Sequence, residues 1–235
     1  YSRRLAFLAG EAAHAQGTPA PRDALTLMIA NQPHAWPKDN NILLREVTLL
    51  LTAATQSTIS ALVHFFLRLE RWLDAHPEDR LAIESDPQFL RNAAYDSIRR
   101  PTGAPARIRR ATEDVTLSSG RSIKAGEKVA LLLVASNTDR KHFGEDADSF
   151  NPHRVVTDTL PWGHAFGGGT HTCPGRPLAT GSRLTGKLDI DGVMTQIARR
   201  LYRAGIRLDP AHPPVRDTST FYDVYTSVPV ILTNP

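Results

Sequence analysis

A single cysteine among 235 residues sets the first limits on this chain. With no second thiol there is no intrachain disulfide, so the fold rests on packing, and a reducing compartment suits it. A zinc site is excluded as well, because zinc takes about four ligands. Cys173 with His164 and His171 falls short of that, and no His-x-x-x-His pair makes up the difference. The sequence has no secretory signal at its start. Its longest apolar runs, Val129–Ala135 and Ala61–Leu67 (the latter broken by His64), are far shorter than the ~18–20 residues of a membrane span. Phosphate-loop chemistry is missing too: Gly167-Gly168-Gly169-Thr170 is followed by no lysine and preceded by no strand-like run. No flavin or nicotinamide motif occurs. These absences point to a cytoplasmic protein with no membrane span.

At 41% hydrophobic, the chain has the composition of a globular protein able to bury a sizeable core. Leu5, Leu8, Ala12 and Ala15 predict an amphipathic helix over 1–17, and Asp23–Asn31 a shorter one. Between Asn41 and Ala75 there is neither Gly nor Pro. A helix of that length, apolar nearly all round (Leu49, Leu50, Leu51, Ile59, Leu62, Val63, Phe65, Phe66), is expected to be buried in a larger body. A polar island, Ala53-Ala54-Thr55-Gln56-Ser57-Thr58, interrupts it. Its hydroxyls have a structural use, bonding back to carbonyls one turn earlier. Pro77–Glu84 and Gln88–Arg100 predict two more helices, the second capped by Asp86 with Pro87 behind it. Asp114–Leu117 and Ser122–Ile123 predict a hairpin, and Val129–Ala135 a buried strand. Beyond the cysteine, Leu184, Leu188, Val193, Ile197 and Leu201 repeat at helical spacing, with Gly181, Gly186 and Gly192 weakening the middle and Gly205 as the stop. The tail, with Val230-Ile231-Leu232, predicts a closing β hairpin. The class is mainly α with a small β region.

The cysteine lies in Phe166-Gly167-Gly168-Gly169-Thr170-His171-Thr172-Cys173-Pro174-Gly175-Arg176-Pro177-Leu178-Ala179. Taken alone, a lone cysteine is more often a buried filler than a ligand. The spacing Phe-x-x-Gly-x-His-x-Cys-x-Gly-x-x-Leu-Ala changes that weighting, because it resembles the haem-binding signature of cytochromes P-450. The resemblance implies the cytochrome P-450 fold, haem b as cofactor, and Cys173 as the thiolate ligand of its iron. It also implies that residues 1–235 are the carboxy-terminal part of a longer single domain.

The same resemblance assigns further residues. Phe166, Gly169 and Gly175 would line the cofactor, and His171 and Arg109 would neutralise its propionates, with Arg107 as the competitor for the second role. Asp96-x-x-Arg99 resembles the family's Glu-x-x-Arg and would join Arg154 in a structural triad. The shorter aspartate needs closer backbones for a bidentate contact, and a surface pair is the plain alternative. The polar island corresponds to the family's oxygen-binding groove, with Ala54, Gln56 and Ser57 standing where a glycine, an acid and a threonine are usual. Gln56 orients water but cannot ionise. Ala53, Gly103, Ala104 and Phe221 would line the substrate pocket.

Net charge is +4, yet residues 176–207 alone carry +5. Nucleic acid is the generic partner of such a patch, but no recognition motif or aromatic interleaving accompanies it. The resemblance offers a ferredoxin or flavodoxin delivering electrons there. The implied activity is a monooxygenase inserting one atom of O2 into a small or medium, largely apolar substrate. Gln56 and Ser57 keep a second class open: a peroxygenase, an oxidative-coupling enzyme or a nitric-oxide-linked one. A non-catalytic haem sensor or electron carrier is a third class that nothing in the sequence favours.

Overall fold

The computed structural model describes residues 23–35, 40–100, 105–182, 190–220 and 222–233. The helix expected over 1–17 and the pocket residues Gly103, Ala104 and Phe221 lie outside them. The chain divides into two units, 1–56 and 57–235.

In the first unit, helix α1 (Ala24–Ala35) starts where the Asp23 side chain accepts from the Thr26 N–H at 2.7 Å. Helix α2 (Asn40–Ala75) begins here and runs on into the second unit. In the second unit a short 3₁₀ turn (Pro77–Arg80) leads to α3 (Ala82–Ser85) and α4 (Pro87–Arg99). The Asp86 carboxylate caps α4 by accepting from Gln88 N–H at 2.8 Å. Strands β1 (Ala106–Arg110), β2 (Val115–Thr116), β3 (Ser122–Ile123) and β4 (Lys128–Leu132) follow, then helices α5 (Leu133–Asn137) and α6 (Arg140–Phe143). After a long loop come α7 (Arg176–Thr180), β5 (Gly181–Ser182), β6 (Ile190–Asp191) and α8 (Val193–Arg203). The chain closes with β7 (Ile206–Leu208), β8 (Val215–Arg216), β9 (Tyr225–Ser227) and β10 (Val230–Leu232). All strand pairing among the described residues is antiparallel and two-stranded: β1–β4, β2–β3, β5–β6, β7–β10 and β8–β9. The mainly α class with a small β region therefore holds.

The core of the second unit is a meeting of three helical stripes. Phe65, Leu69 and Leu73 of α2 recur every four residues, as do Leu90, Ala94 and Ile98 of α4 and Met194, Ala198 and Tyr202 of α8. Burying each large apolar side chain is worth about 1.5–3 kcal/mol, so this three-helix contact dominates the unit's stability. A buried polar cluster stitches α2 to α8: Tyr202 O–H donates to Glu70 at 3.0 Å, and Arg80 lies 3.6 Å from the same carboxylate. Asp191 on β6 performs a similar task, accepting from Arg91 of α4 at 2.7 Å and Arg199 of α8 at 2.6 Å. Burial pushes the Asp191 carboxyl up, but the two guanidinium hydrogen bonds outweigh it and hold the group below its usual range.

Three expectations need correction. Apart from Leu43 in its first turn, helix α2 is buried only from His64 onward, whereas Leu49, Leu51 and Ile59 are 59, 65 and 54% exposed. A helix apolar all round needs partners on every side, and the described residues do not supply them for its middle turns. Residues 42–75 also pass, by length and composition alone, as a candidate membrane span of mean hydropathy 1.4. The run Val129–Ala135 is not one buried strand: β4 is largely exposed and ends at Leu132, where α5 begins. Lastly, the long helix after the cysteine is broken. A Cβ at Gly181 would fall 2.1 Å from the Ile190 carbonyl, and one at Gly192 would fall 2.0 Å from that of Ala179. The two glycines let β5 and β6 close against α7, a use of glycine distinct from the helix-weakening expected of them.

Candidate functional site

The loop that presents Cys173 is built outward from α4. Tyr95 of α4 donates its O–H to the Thr180 carbonyl at 2.8 Å and meets the Trp162 ring edge-on at 5.1 Å. Trp162 in turn meets Phe166 edge-on at 6.3 Å. Trp162, Ala165 and Phe166 all pack against the main core, so the loop enters the site from an anchored base. Asn137 fixes the same base through its side chain. Its Oδ1 accepts from His164 N–H at 2.7 Å, and its Nδ2 donates to the Arg99 carbonyl at 2.9 Å. Between them sits Gly163 at φ +55°, where a Cβ would fall 2.4 Å from Asn137 Oδ1.

From Phe166 the chain turns back on itself. The Cys173 N–H donates to the Phe166 carbonyl at 2.9 Å, and Arg176 N–H donates to the Cys173 carbonyl at 3.2 Å. The thiol is exposed and carries no disulfide. Gly169 takes φ +63° with open space where a side chain would be. Gly175 has an ordinary right-handed φ, and a Cβ there would meet the cysteine sulfur at 3.6 Å, an ordinary contact. Neither glycine adds a side chain to the exposed loop that carries the sulfur. His171 is exposed at the end of a 3₁₀ turn, two residues from Gly169. Arg109 is exposed on β1, its guanidinium donating to its own neighbour's carbonyl, that of Ile108, at 2.9 Å. Arg107 is half-buried and does the same to Ala106 at 3.2 Å.

The structure brings Asp96, Arg99 and Arg154 together. One carboxylate oxygen, Oδ1, accepts from Arg99 Nε at 2.8 Å and from Arg154 Nε at 2.7 Å, while Oδ2 accepts from Asn151 N–H at 2.9 Å. The contact with Arg99 is therefore through a single shared oxygen and not the bidentate fork considered from sequence. The guanidinium of Arg99, fully buried, lies 4.7 Å over the Phe143 ring and donates to the carbonyls of Asn137 and Ala147. Arg154 donates to Asp146 at 2.6 Å and to the Ser149 carbonyl at 3.0 Å. Burial pushes the Arg154 guanidinium down, but Asp146 and Asp96 together raise it above its ordinary value. A surface pair is excluded: both guanidiniums are at most 5% exposed.

Ala53, Ala54 and Gln56 are exposed on the part of α2 that belongs to the first unit, and Ser57, also exposed, opens the second. The Thr55 hydroxyl bonds back to the Leu51 carbonyl at 2.7 Å, as Thr48 and Thr52 do to their own carbonyls one turn earlier. These hydroxyls spend their hydrogens on the helix.

Among the described residues no group of three or more His, Cys, Asp or Glu is placed to hold a metal ion. The donor set on offer is one accessible sulfur. That suits a metal arriving with its equatorial ligands already in place, as porphyrin iron does, and a soft thiolate is an established axial ligand for it. Gly175 beside the sulfur, with no side chain to cover it, and the aromatic Phe166 agree with a planar cofactor. Trp162, Tyr95 and Asn137, which hold this loop, were not singled out as site residues from sequence; the only signal was an aromatic beside a turn glycine ahead of Phe166.

Comparison with known proteins gives the same direction. The sequence model of the family described as Cytochrome P450 matches residues 88–182. The chain is 28% identical over 182 residues to the mycinamicin VIII C21 methyl hydroxylase of Micromonospora griseorubida, covering 77% of this chain and 42% of the relative. It is 28% identical over 221 residues to the epothilone C/D epoxidase of Sorangium cellulosum, covering 91% and 48%. Among solved structures, the LnmA hydroxylase of the leinamycin pathway of Streptomyces atroolivaceus superposes with TM-score 0.69 at 25% identity, covering 97% of this chain and 55% of that one. The chain thus spans about half the length of the relatives it matches.

Proposed function

Since this chain belongs to the cytochrome P450 superfamily, we propose that it is the cysteine-bearing carboxy-terminal part of a haem-thiolate monooxygenase. Its substrate would be a small or medium, largely apolar organic molecule, and its electrons would come from a separate ferredoxin or flavodoxin. The observation that carries the reading is the exposed thiol of Cys173 on a loop pinned at the Phe166 carbonyl. The relatives named as a hydroxylase and an epoxidase support oxygen insertion.

Haem b, the family's cofactor, supplies O2 activation when bound. In this reading Cys173 holds the iron as thiolate, Phe166 forms a wall, and His171 and Arg109 face the propionates. The Asp96–Arg99–Arg154 cluster fixes the segment 143–154 beneath the loop. Arg200 and Arg203 stand exposed on α8 and offer the acidic partner a basic surface, whereas Arg199 is already engaged by Asp191. We read α2 as a helix that crosses no membrane, because its uncharged stretch is interrupted by Gln56, Ser57 and Ser60, and the protein as cytoplasmic.

Gln56 favours a second reading. Its amide donates and accepts hydrogen bonds but holds no exchangeable acid, so proton delivery would pass through Ser57 and water alone, or the enzyme would follow peroxygenase, coupling or nitric-oxide-linked chemistry. In the intact protein, O2 uptake coupled to reductant and product supports the monooxygenase, while turnover with hydrogen peroxide alone supports the second class. Gln56→Glu is expected to change the ratio of product formed to reductant consumed. An unchanged ratio would remove Gln56 from the proton path.

A further inference from the structure

His64 is a buried, ionisable ring that the proposed chemistry leaves unused. It projects from α2 seven residues after Ser57, two turns and about 10 Å along the same face. Its side chain is 5% exposed, and its Nε2–H donates to the backbone carbonyl of Asp223 at 2.6 Å. Tyr225 meets the ring edge-on at 5.7 Å. Asp223 lies in the connection between β8 and β9, only two residues beyond Phe221. Within the connection, Asp217 N–H donates to the Val224 carbonyl and Val224 N–H to that of Tyr222, while Asp217 Oδ1 accepts from Ser219 N–H and Thr220 Oγ1 from Tyr222 N–H.

We propose that His64 is a positioning residue that fastens residues 222–225 to the Ser57 face of α2 and so sets which substrates fit beside it. This rests on the monooxygenase reading for its consequence, though not for the latch itself. The latch works with a neutral ring. The charged groups around it are Arg68 and Arg71 on α2 and Asp223 on the tail, whose carboxylate is 3.9 Å from Nδ1 and is itself paired with Arg216 of β8 at 3.1 Å. Burial, with Arg68 and Arg71, pushes the ring's proton affinity down; the Asp223 carbonyl and carboxylate oppose but do not cancel this. The released segment leaves His64 near its ordinary value of about 6.5. Protons therefore favour release: the latch is whole above that pH and weakens as pH falls below it.

The test uses the intact protein with two probes. Hydrogen exchange of the amides of 222–227 is measured in wild type, His64→Leu and His64→Gln, and imidazole and 4-phenylimidazole are titrated against the haem spectrum. Losing one net hydrogen bond corresponds to about fivefold faster exchange in His64→Leu, with His64→Gln, whose amide can still donate, close to wild type. Wild-type exchange, corrected for intrinsic rates, is expected to hold steady above about pH 6.5 and to quicken as pH falls below it. The bulky azole should weaken several-fold in His64→Leu while imidazole holds. If His64→Leu does not fold, His64→Gln and the wild-type pH series decide. Exchange at 222–227 that ignores both substitution and pH overturns the latch, and equal changes for the two azoles overturn its role in fit. The exchange readout does not depend on haem, so a failure of the haem-thiolate reading would show in the azole spectra alone.

Discussion

Asp96→Asn is expected to strip the intact protein of a large share of its folded stability. The substitution keeps the size of the side chain but removes the negative charge that two buried guanidiniums share through one oxygen at 2.8 and 2.7 Å. Arg99 is fully buried and Arg154 nearly so, and neither has water to turn to. Breaking a buried pair in this way costs about 3–5 kcal/mol, against a total of about 5–15 kcal/mol for a folded protein. The same residues hold the carbonyls of Ala147 and Ser149, so the segment 143–154 should loosen first. A fall of about 10 °C or more in melting temperature is the expected reading for a protein of this size, with haem lost on purification. Asp96→Glu, which restores the charge on a longer arm, should recover part of it. A melting temperature unchanged in Asp96→Asn would mean that the buried charges are compensated elsewhere.

The second large effect is expected at Gly163→Ala. The added Cβ would be forced to within 2.4 Å of Asn137 Oδ1, at a φ of +55° that costs a non-glycine residue about 1–2 kcal/mol by itself. Overpacking adds about 1–3 kcal/mol more. Asn137 cannot retreat without giving up His164 N–H or the Arg99 carbonyl. The strain would therefore pass along the loop toward Phe166 and Cys173. The measurement is haem retention together with melting temperature: both should fall, haem retention more than a change far from the loop would cause. Full retention with an unchanged melting temperature would show that Asn137 does not set the loop.

Helix α4 was legible in the sequence from its cap at Asp86, and α8 from an apolar repeat, although the residues of that repeat, Val193, Ile197 and Leu201, lie beside the stripe that is buried, Met194, Ala198 and Tyr202. The class followed from those helices together with the short β segments. What could not be read were effects of close backbone approach. Gly181 and Gly192 carry no periodic signal of their own, yet the Cβ clash each would suffer is what turns an expected helix into a β5–β6 pairing. The burial of α2 was overestimated for a related reason: apolar composition shows what a helix needs around it, not whether this stretch of chain supplies it. At the site, the cysteine and its glycines stood out because a rare residue sat inside a fixed spacing. Asp96, Arg99 and Arg154 were found through resemblance, since nothing in a linear sequence joins residues 55 to 58 positions apart. The anchors Tyr95, Trp162 and Asn137 act through ring edges and one amide, and those partners exist only once the chain is folded.

The central claim is that the sulfur of Cys173 ligates haem iron, and one spectrum addresses it directly. The intact protein, reduced with dithionite and exposed to carbon monoxide, should give the red-shifted Soret absorption of a thiolate-bound haem, and Cys173→Ala should lose it. A spectrum without that shift in the wild-type protein, or one that survives the loss of the sulfur, would contradict the account.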